Sequence, residues 1–399
     1  MDNKRGSFSI YACLFLMVLM ASAGLFLGAA KKSAVMGTGR AAASLWSQSI
    51  LAEYDQNLQS RYHIFGYYGY PAMVMEKLTF YGEETFGEKE SVECSILSCS
   101  LYEHSLRNVD TFEGQIINAG KIAVTDAFHQ PAKSIKSVTH HQIPAHEVLF
   151  SDLPSEGSKT GLSMSSLLQN YQGNSSLKSL AKKGTDTWFQ LSYVFSHFKD
   201  LQNKRDLGKT YLQSEVEYII AGKQTDADNE KAVKRRIIAL REPVNLAYLE
   251  RNGEKKAAVY AAAELLTPGA AAVTAQSILV AWAYAESVND YNLLIRGHSV
   301  SKTKTDKSWA TDLESVLEAD GEDGCIYTGV ESGDTYEEYL RLLLVTMNGS
   351  TRLLRMMDVI QINMRYCYYD TFLLEDYYGG VSFTYSVNGE TCHVDESYE

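Results

Sequence analysis

No charged residue stands between Arg5 and Lys31 of this 399-residue chain, no Cys-x-x-Cys occurs in it, and no lysine follows Lys307. The missing Cys-x-x-Cys argues against a zinc ribbon or a thioredoxin-type site. With six cysteines the chain is not a disulfide-dense scaffold. Cys13 falls in the apolar stretch and five others outside it, an odd number. Cys94 and Cys99 form a candidate local disulfide if their segment turns, and Cys325, Cys367 and Cys392 offer a second bridge with one thiol left over. Proline is scarce, six residues against 26 tyrosines, which suits helices and packed surfaces with polar tips and not a linker-rich stalk. A basic stripe is lacking too. The net charge of −12 repels phosphate, so no nucleic-acid partner is expected. From residue 311 onward 18 acidic residues face four arginines, while the first 310 residues sum to +2, so the acidic end is a separate electrostatic object. We read it as a solvated face. Its "EADGEDG" (Glu318 to Gly324) does not place acids at the EF-hand positions.

What is present begins with "RGSFSIYACLFLMVLMASAGLFLGAAKK". Phe8 to Ala30 rises about 34 Å as a helix, enough to cross a bilayer and long for a signal-peptide core. Ala21-Ser22-Ala23 fits a signal-peptidase pattern, but the apolar run continues through Leu27, which favours a retained anchor. A lipoprotein reading at Cys13 puts Tyr11 where a small residue is usual. Gly6 and Ser7 mark a candidate prepilin-type processing site, although Tyr11 occupies the position where pilin precursors carry Glu. A long C-terminal domain translocates largely regardless of flanking charge, so we expect a cytoplasmic N-terminus, a single-pass cell-membrane protein and an extracellular bulk. The uncharged run Gly269 to Ala285 reads as a buried soluble helix, being short and mixed with polar residues.

Periodicity predicts a helix-dominated α+β chain. The expected divisions are 1–7 (cytoplasmic), 8–30 (transmembrane helix), 31–130 (extended helix and small α/β region), 131–185 (variable Ser/His-rich loop), 186–310 (helical) and 311–399 (acidic helix and C-terminal hairpin). The membrane helix should continue outward as an amphipathic helix to about Leu58, with Gly37 and Gly39 as candidate interruptions. Ile64 to Ser100 reads as strands and tight turns. Asp110 is expected to cap a helix from Thr111 to Phe128, and Asp226 or Asp228 to cap one that bends or breaks at Pro243. Thr267-Pro268 should open the Ala-rich helix. Tyr336 to Met364 is a long helical segment with a break at Asn348-Gly349, and Asn388-Gly389 marks a hairpin within Val381 to Val394.

Four blocks resemble an uncharacterised family of single-span exported proteins encoded in tight-adherence (Tad) pilus gene clusters of Gram-positive bacteria. They are "KRGSFSIYACLFLMV" with "SQSILAEYDQNLQSRYHIFGYYG", "EVEYIIAGKQTDADNEKAVKRRIIALREPVNLAYL", "AWAYAESVNDYNLLIRGHSVSKTKTDKSW", and "YEEYLRLLLVTMNGSTRLLRMMDVIQINMR". Together they cover about half of the chain. The resemblance implies an N-terminal span, an exported domain and Tad or pilus assembly partners. It brings no activity and no catalytic residues.

Motifs with chemistry are few. Gly37-Thr38-Gly39-Arg40-Ala41-Ala42 fits a dinucleotide fingerprint but follows an apolar span instead of a strand, so close helix packing explains it better. Lys159-Thr160-Gly161 and Ser175-Ser176-Leu177-Lys178 occur in the wrong order for a penicilloyl enzyme. His140, His141, His146 and Glu147 carry metal-ligand chemistry without a metal-site spacing, and read as a surface patch. Glu286 and Asp290 share a helix face near Arg296 and His298; with no nucleophile we read them as helix-surface charges with an Arg partner. The expectation is a non-enzymatic, membrane-anchored extracellular protein, pseudopilin-like or an assembly component, with no cofactor, no metal and no identified small-molecule substrate. An anchored binding module or adhesin is the alternative, and an anchored hydrolase a more distant one.

Overall fold

The computed structural model describes residues 3–87, 92–129, 145–158, 164–173, 185–202, 206–318, 325–329 and 333–398. The elements run α1 (Asn3–Leu51), α2 (Gln56–Tyr62), β1 (Tyr67–Tyr68), α3 (Pro71–Phe86), β2 (Cys94–Ser100), α4 (Val109–His129), α5 (His146–Leu149), α6 (Met164–Gly173), α7 (Thr185–His197) and α8 (Glu215–Ala221). There follow α9 (Asp226–Arg251), α10 (Gly253–Leu266), α11 (Ala271–Ile295), α12 (Leu313–Leu317), α13 (Tyr336–Thr346), α14 (Gly349–Cys367), β3 (Tyr377–Tyr378), β4 (Gly380–Val387) and β5 (Glu390–Ser397). This is the helix-dominated α+β fold expected, with an apolar N-terminal helix and a C-terminal hairpin. Two compact units form, one from residues 1–56, 65–111 and 375–399, the other from 57–64 and 112–374.

In the first unit, α1 is continuous for 49 residues, about 74 Å. It passes through Gly37 and Gly39 and stops at Leu51, short of the expected Leu58. Gly39 does not interrupt the helix because it serves packing: a Cβ there would stand 3.0 Å from Val387 Cγ2. Beyond the apolar stretch, Ala42, Ala43, Trp46 and Ile50 of α1 pack on Val74, Leu78 and Phe86 of α3 and on Val381, Phe383, Tyr385 and Val387 of β4. Trp46 Nε1 donates to Thr85 Oγ1 at 3.1 Å, and Ser44 Oγ to Glu396 Oε1 at 3.0 Å. The sheet order is β2-β4-β5, all antiparallel, and the hairpin turns at Asn388 and Gly389, both at positive φ (49° and 82°) as a two-residue turn requires. The strand reading of residues 64–100 needs correction, since α3 occupies its middle. Pro71 suits the first helical turn, and Val74, Leu78, Gly82 and Phe86 recur every four residues on the buried face.

The second unit is helical. Here α9 pairs with α10 and α11 around Leu249, Val259, Ala263, Ile278, Leu279 and Trp282. Several expected boundaries shift. Asp110 lies inside the first turn of α4, and Asn108 Oδ1 accepts from its N–H at 3.0 Å. Thr225, and neither Asp226 nor Asp228, caps α9; Asp226 instead accepts from the backbone N–H of Gln213 and Ser214. The helix runs on through Pro243. Thr267 closes α10, and α11 opens only at Ala271 after Gly269 turns at φ 85°. Asn348 separates α13 from α14 as expected, its side chain accepting from Thr351 N–H. Within the expected loop 131–185, α5, α6 and residues 151–158 are ordered, and Leu149, Leu153, Leu167 and Tyr171 are buried.

Fifteen of the nineteen residues of α14 are buried, seven of them polar or charged, so the hub of this unit must satisfy its own polar groups. It does so largely with backbone. Arg365 donates to the carbonyls of Phe372, Val148 and Ser151, each at 2.7 Å, and Arg355 to those of Ile219 and Ile220 at 3.1 and 2.9 Å, at the C-terminal end of α8 where a cation is favoured. Gln361 accepts from Leu374 N–H and donates to Asp152 O. One α14-independent contact is equally tight: a Cβ on Gly120 of α4 would lie 2.2 Å from the Phe189 carbonyl of α7. Gly120→Ala is therefore expected to cost about 1–3 kcal/mol by overpacking, measurable as a lower urea midpoint with an unchanged slope.

Candidate functional site

A buried grouping of ionisable side chains in the second unit lies where α9, α11 and residues 300–311 meet. The buried face of α9 carries Val233, Ile237 and Leu240, then Arg241 and Asn245, then Leu249, so two polar residues occupy positions of an apolar stripe. Opposite them α11 buries Glu286, Ser287 and Asp290. Arg241 Nε donates to Asp290 Oδ2 at 2.9 Å and Asn245 Nδ2 to the same oxygen at 3.1 Å, while Lys304 Nζ donates to Asp290 Oδ1 at 2.7 Å. Lys304 also pairs with Glu286. Glu286 Oε2 accepts from Thr311 N–H at 2.9 Å and Thr311 Oγ1 at 2.8 Å. Arg241 Nη1 donates to Tyr171 Oη at 3.0 Å, and Tyr171 shares a hydrogen bond with Tyr339 at 2.8 Å.

Two cations and two carboxylates make the cluster neutral, and its members are all but fully buried. Burial alone would raise the Asp290 carboxyl, but Arg241 and Lys304 outweigh it and hold the group below the usual carboxylate range. Such a carboxylate is spoken for as an ion-pair partner and is poorly suited to general-acid work near neutrality. The arrangement ties two helices, a loop, α6 and α13 together through satisfied charges.

This corrects the reading of Glu286 and Asp290 as helix-surface charges. The expected Arg partner is Arg241, not Arg296, which is exposed, and Lys304 is a second partner. His298 stacks on Tyr327 with ring centroids 4.3 Å apart. Sequence reasoning missed Arg241, Asn245 and Lys304. The signal for the first two was their i, i+4 spacing within the apolar face of α9; nothing local singles out Lys304.

Other expected residues stand apart. His146 is exposed and stacks on Phe150, Glu147 is exposed, and His140 and His141 lie outside the described residues. Lys159 to Gly161 and Ser175 to Lys178 lie outside them as well, as does 319–324 of the acidic segment. Among the described residues no group of three or more His, Cys, Asp or Glu is placed to hold a metal ion. Gly6 and Ser7 lie within the helical backbone of α1. Cys94 and Cys99 are free thiols in one strand, not in a turn; five residues of extended chain separate their Cα atoms by roughly 16 Å, beyond the ~7 Å limit of a disulfide. Burial pushes both thiols up, Cys99 to about 11, which leaves them protonated and weakly nucleophilic.

Three buried acids of α8 and α14 are displaced upward. Burial raises Glu217 to about 7 against hydrogen bonds from Leu201 N–H (3.0 Å) and Tyr336 Oη (2.8 Å). Burial likewise raises Asp358 to about 6, despite donors at Ser155 N and Tyr218 Oη, and it raises Glu215. These groups touch protein atoms and report on folding.

In the first unit the membrane-facing feature is α1 itself. Among the described residues it is the one helix long and apolar enough to cross a bilayer, and its most apolar window is wholly unburied. The run Gly269 to Ala285, by contrast, buries Ala275, Ile278, Leu279, Trp282 and Ala283 in the helical core, as read from sequence. No curated protein and no solved structure matches the chain. Residues 125–389, about two thirds of the length and including every member of the buried ion cluster, match a family of unknown function, DUF5702, and the chain belongs to that family.

Proposed function

We propose that this is a non-enzymatic, single-span membrane protein with a cytoplasmic N-terminus and an extracellular bulk, serving a Tad-type pilus system as a pseudopilin-like or assembly component. One observation carries the anchoring part: a single unbroken helix whose first half is apolar and unburied, and whose second half is built into a folded core. Such a helix transmits the position of a membrane segment rigidly to the domain outside. The link to pili rests on the four sequence blocks and their order. The reading of a non-enzymatic role draws on the neutral, satisfied state of the main ionisable cluster.

The test is in two steps. Leu19→Arg places a charge mid-span, at about 2.5–3.5 kcal/mol on the insertion scale, and is expected to shift the protein from the membrane fraction toward the soluble fraction. Crosslinked membranes of the native host should then yield Tad components with the wild-type chain. Unchanged fractionation of the variant counts against the anchor, and repeated isolation without Tad components removes the pilus assignment.

A surface-binding module is the second reading, favoured by exposed aromatic side chains of the first unit: Tyr68 and Tyr70 are more than half exposed, and Tyr102 is 85% exposed. Large exposed aromatics are suited to stacking on a ligand.

A further inference from the structure

Lys31 and Lys32 follow directly on the apolar stretch that ends at Ala30. From Gly28 to Met36, α1 rises about 12 Å, more than enough to pass from the hydrocarbon through the headgroup layer, about 5–8 Å thick on each side. Over that same rise the tip of the β4–β5 hairpin stands beside the helix. Gly28, Lys31, Lys32 and Met36 face Val387 and Glu390 across an open groove of about 320 Å³, at the lower end of the range of small-molecule sites.

The chemistry of the groove is graded. At its apolar end, nothing lies within 4 Å of where a Cβ on Gly28 would stand, so the wall is open toward the hydrocarbon. At its polar end Lys32 pairs with Glu390 while both stay in reach of water, and Lys31 has no ion pair or hydrogen bond among the described residues. Two lysines against one carboxylate leave a net positive charge. Lysines at this depth extend their ammonium groups to the interface.

We propose that this groove seats the phosphate of an anionic phospholipid, with Lys31 as the principal cation, Lys32 shared between Glu390 and the phosphate, and Gly28 leaving room for the first acyl methylenes. The site would fix the depth of the hairpin against the membrane surface. This inference rests on the membrane-anchor reading.

The experiment uses the full chain in nanodiscs of phosphatidylcholine, with or without phosphatidylglycerol, and reads hydrogen exchange at residues 387–390 together with retained lipid by native mass spectrometry. Phosphatidylglycerol is expected to slow exchange at the hairpin tip and to be retained roughly fivefold over phosphatidylcholine per lysine engaged. The pair Lys31→Gln and Lys32→Gln should abolish both effects yet still insert, and Lys31→Gln alone, which keeps the Lys32–Glu390 pair, should lose most of the preference. Insertion with no phosphatidylglycerol effect overturns the inference and leaves the anchor standing. Protection reproduced by inorganic phosphate in phosphatidylcholine discs overturns the lipid assignment in favour of a free anion. Failure to insert at all overturns the anchor and the inference together.

Discussion

Asp290→Ala is expected to destabilise the protein by about 3–5 kcal/mol, because it leaves buried cations without their counter-charge. Arg241 is wholly buried and Asp290 is its only carboxylate partner among the described residues, so the variant strands a guanidinium on tyrosine hydroxyls, Asn245 and one carbonyl. Lys304 would keep Glu286 and the Ser308 carbonyl. The neutral count of the cluster yields a sharper comparison. Arg241→Met combined with Asp290→Leu removes one charge of each sign and leaves the Lys304–Glu286 pair intact, so the double variant should be much milder than either single change. Urea unfolding of the three variants measures this. Additive losses in the double variant would show that the cluster is not held as a neutral unit.

The second large effect is a fall in stability from acidic to neutral pH. Glu217 and Asp358 titrate near 7 and 6 in the folded chain, above the ordinary carboxylate range. Between that ordinary range and about pH 7 the folded chain therefore holds protons that the unfolded chain has released, and stability declines as pH rises across this window. The full decline across this window is on the order of 6 kcal/mol. Asp290, held low by its cations, acts in the opposite sense: its contribution is present above its ordinary unfolded value and is lost as pH falls below it. The melting temperature should thus peak near pH 4, where the two effects cross. Glu217→Gln keeps an acceptor for Leu201 and Tyr336 while removing the charge, and is expected to flatten the alkaline limb. A melting temperature that rises steadily from pH 5 to pH 8 would contradict this account of the buried acids.

The parts of the fold legible in the sequence are those set by local chemistry. Asn388-Gly389 needs two residues at positive φ and obtains them, Asn348 caps the helix it precedes, and the uncharged N-terminal run becomes the first half of α1. Where side chains compete for the same role, local rules misplace it. Asp226 looked like a cap but turns its carboxylate to Gln213 and Ser214, leaving Thr225 to cap α9. The aromatic, Gly-rich context of residues 64–100 concealed α3, whose four-residue repeat is modest beside the strand-like tyrosines around it. The charge cluster was half legible: Glu286 and Asp290 share a face by spacing, but their burial is decided by Arg241 and Lys304, which reach them from a separate helix and a loop. Long-range pairing of this kind has no local signature.

The central claim is that residues 8–30 remain part of the mature protein and join it to the membrane. The most direct test is the intact mass of the N-terminal segment of the protein taken from native membranes. The account predicts a species that retains the whole apolar stretch, beginning at Met1 or, after prepilin-type processing, at Ser7. A mature chain that begins at Gly24 would contradict it, since the helix would then lack the length to span and the protein would be released.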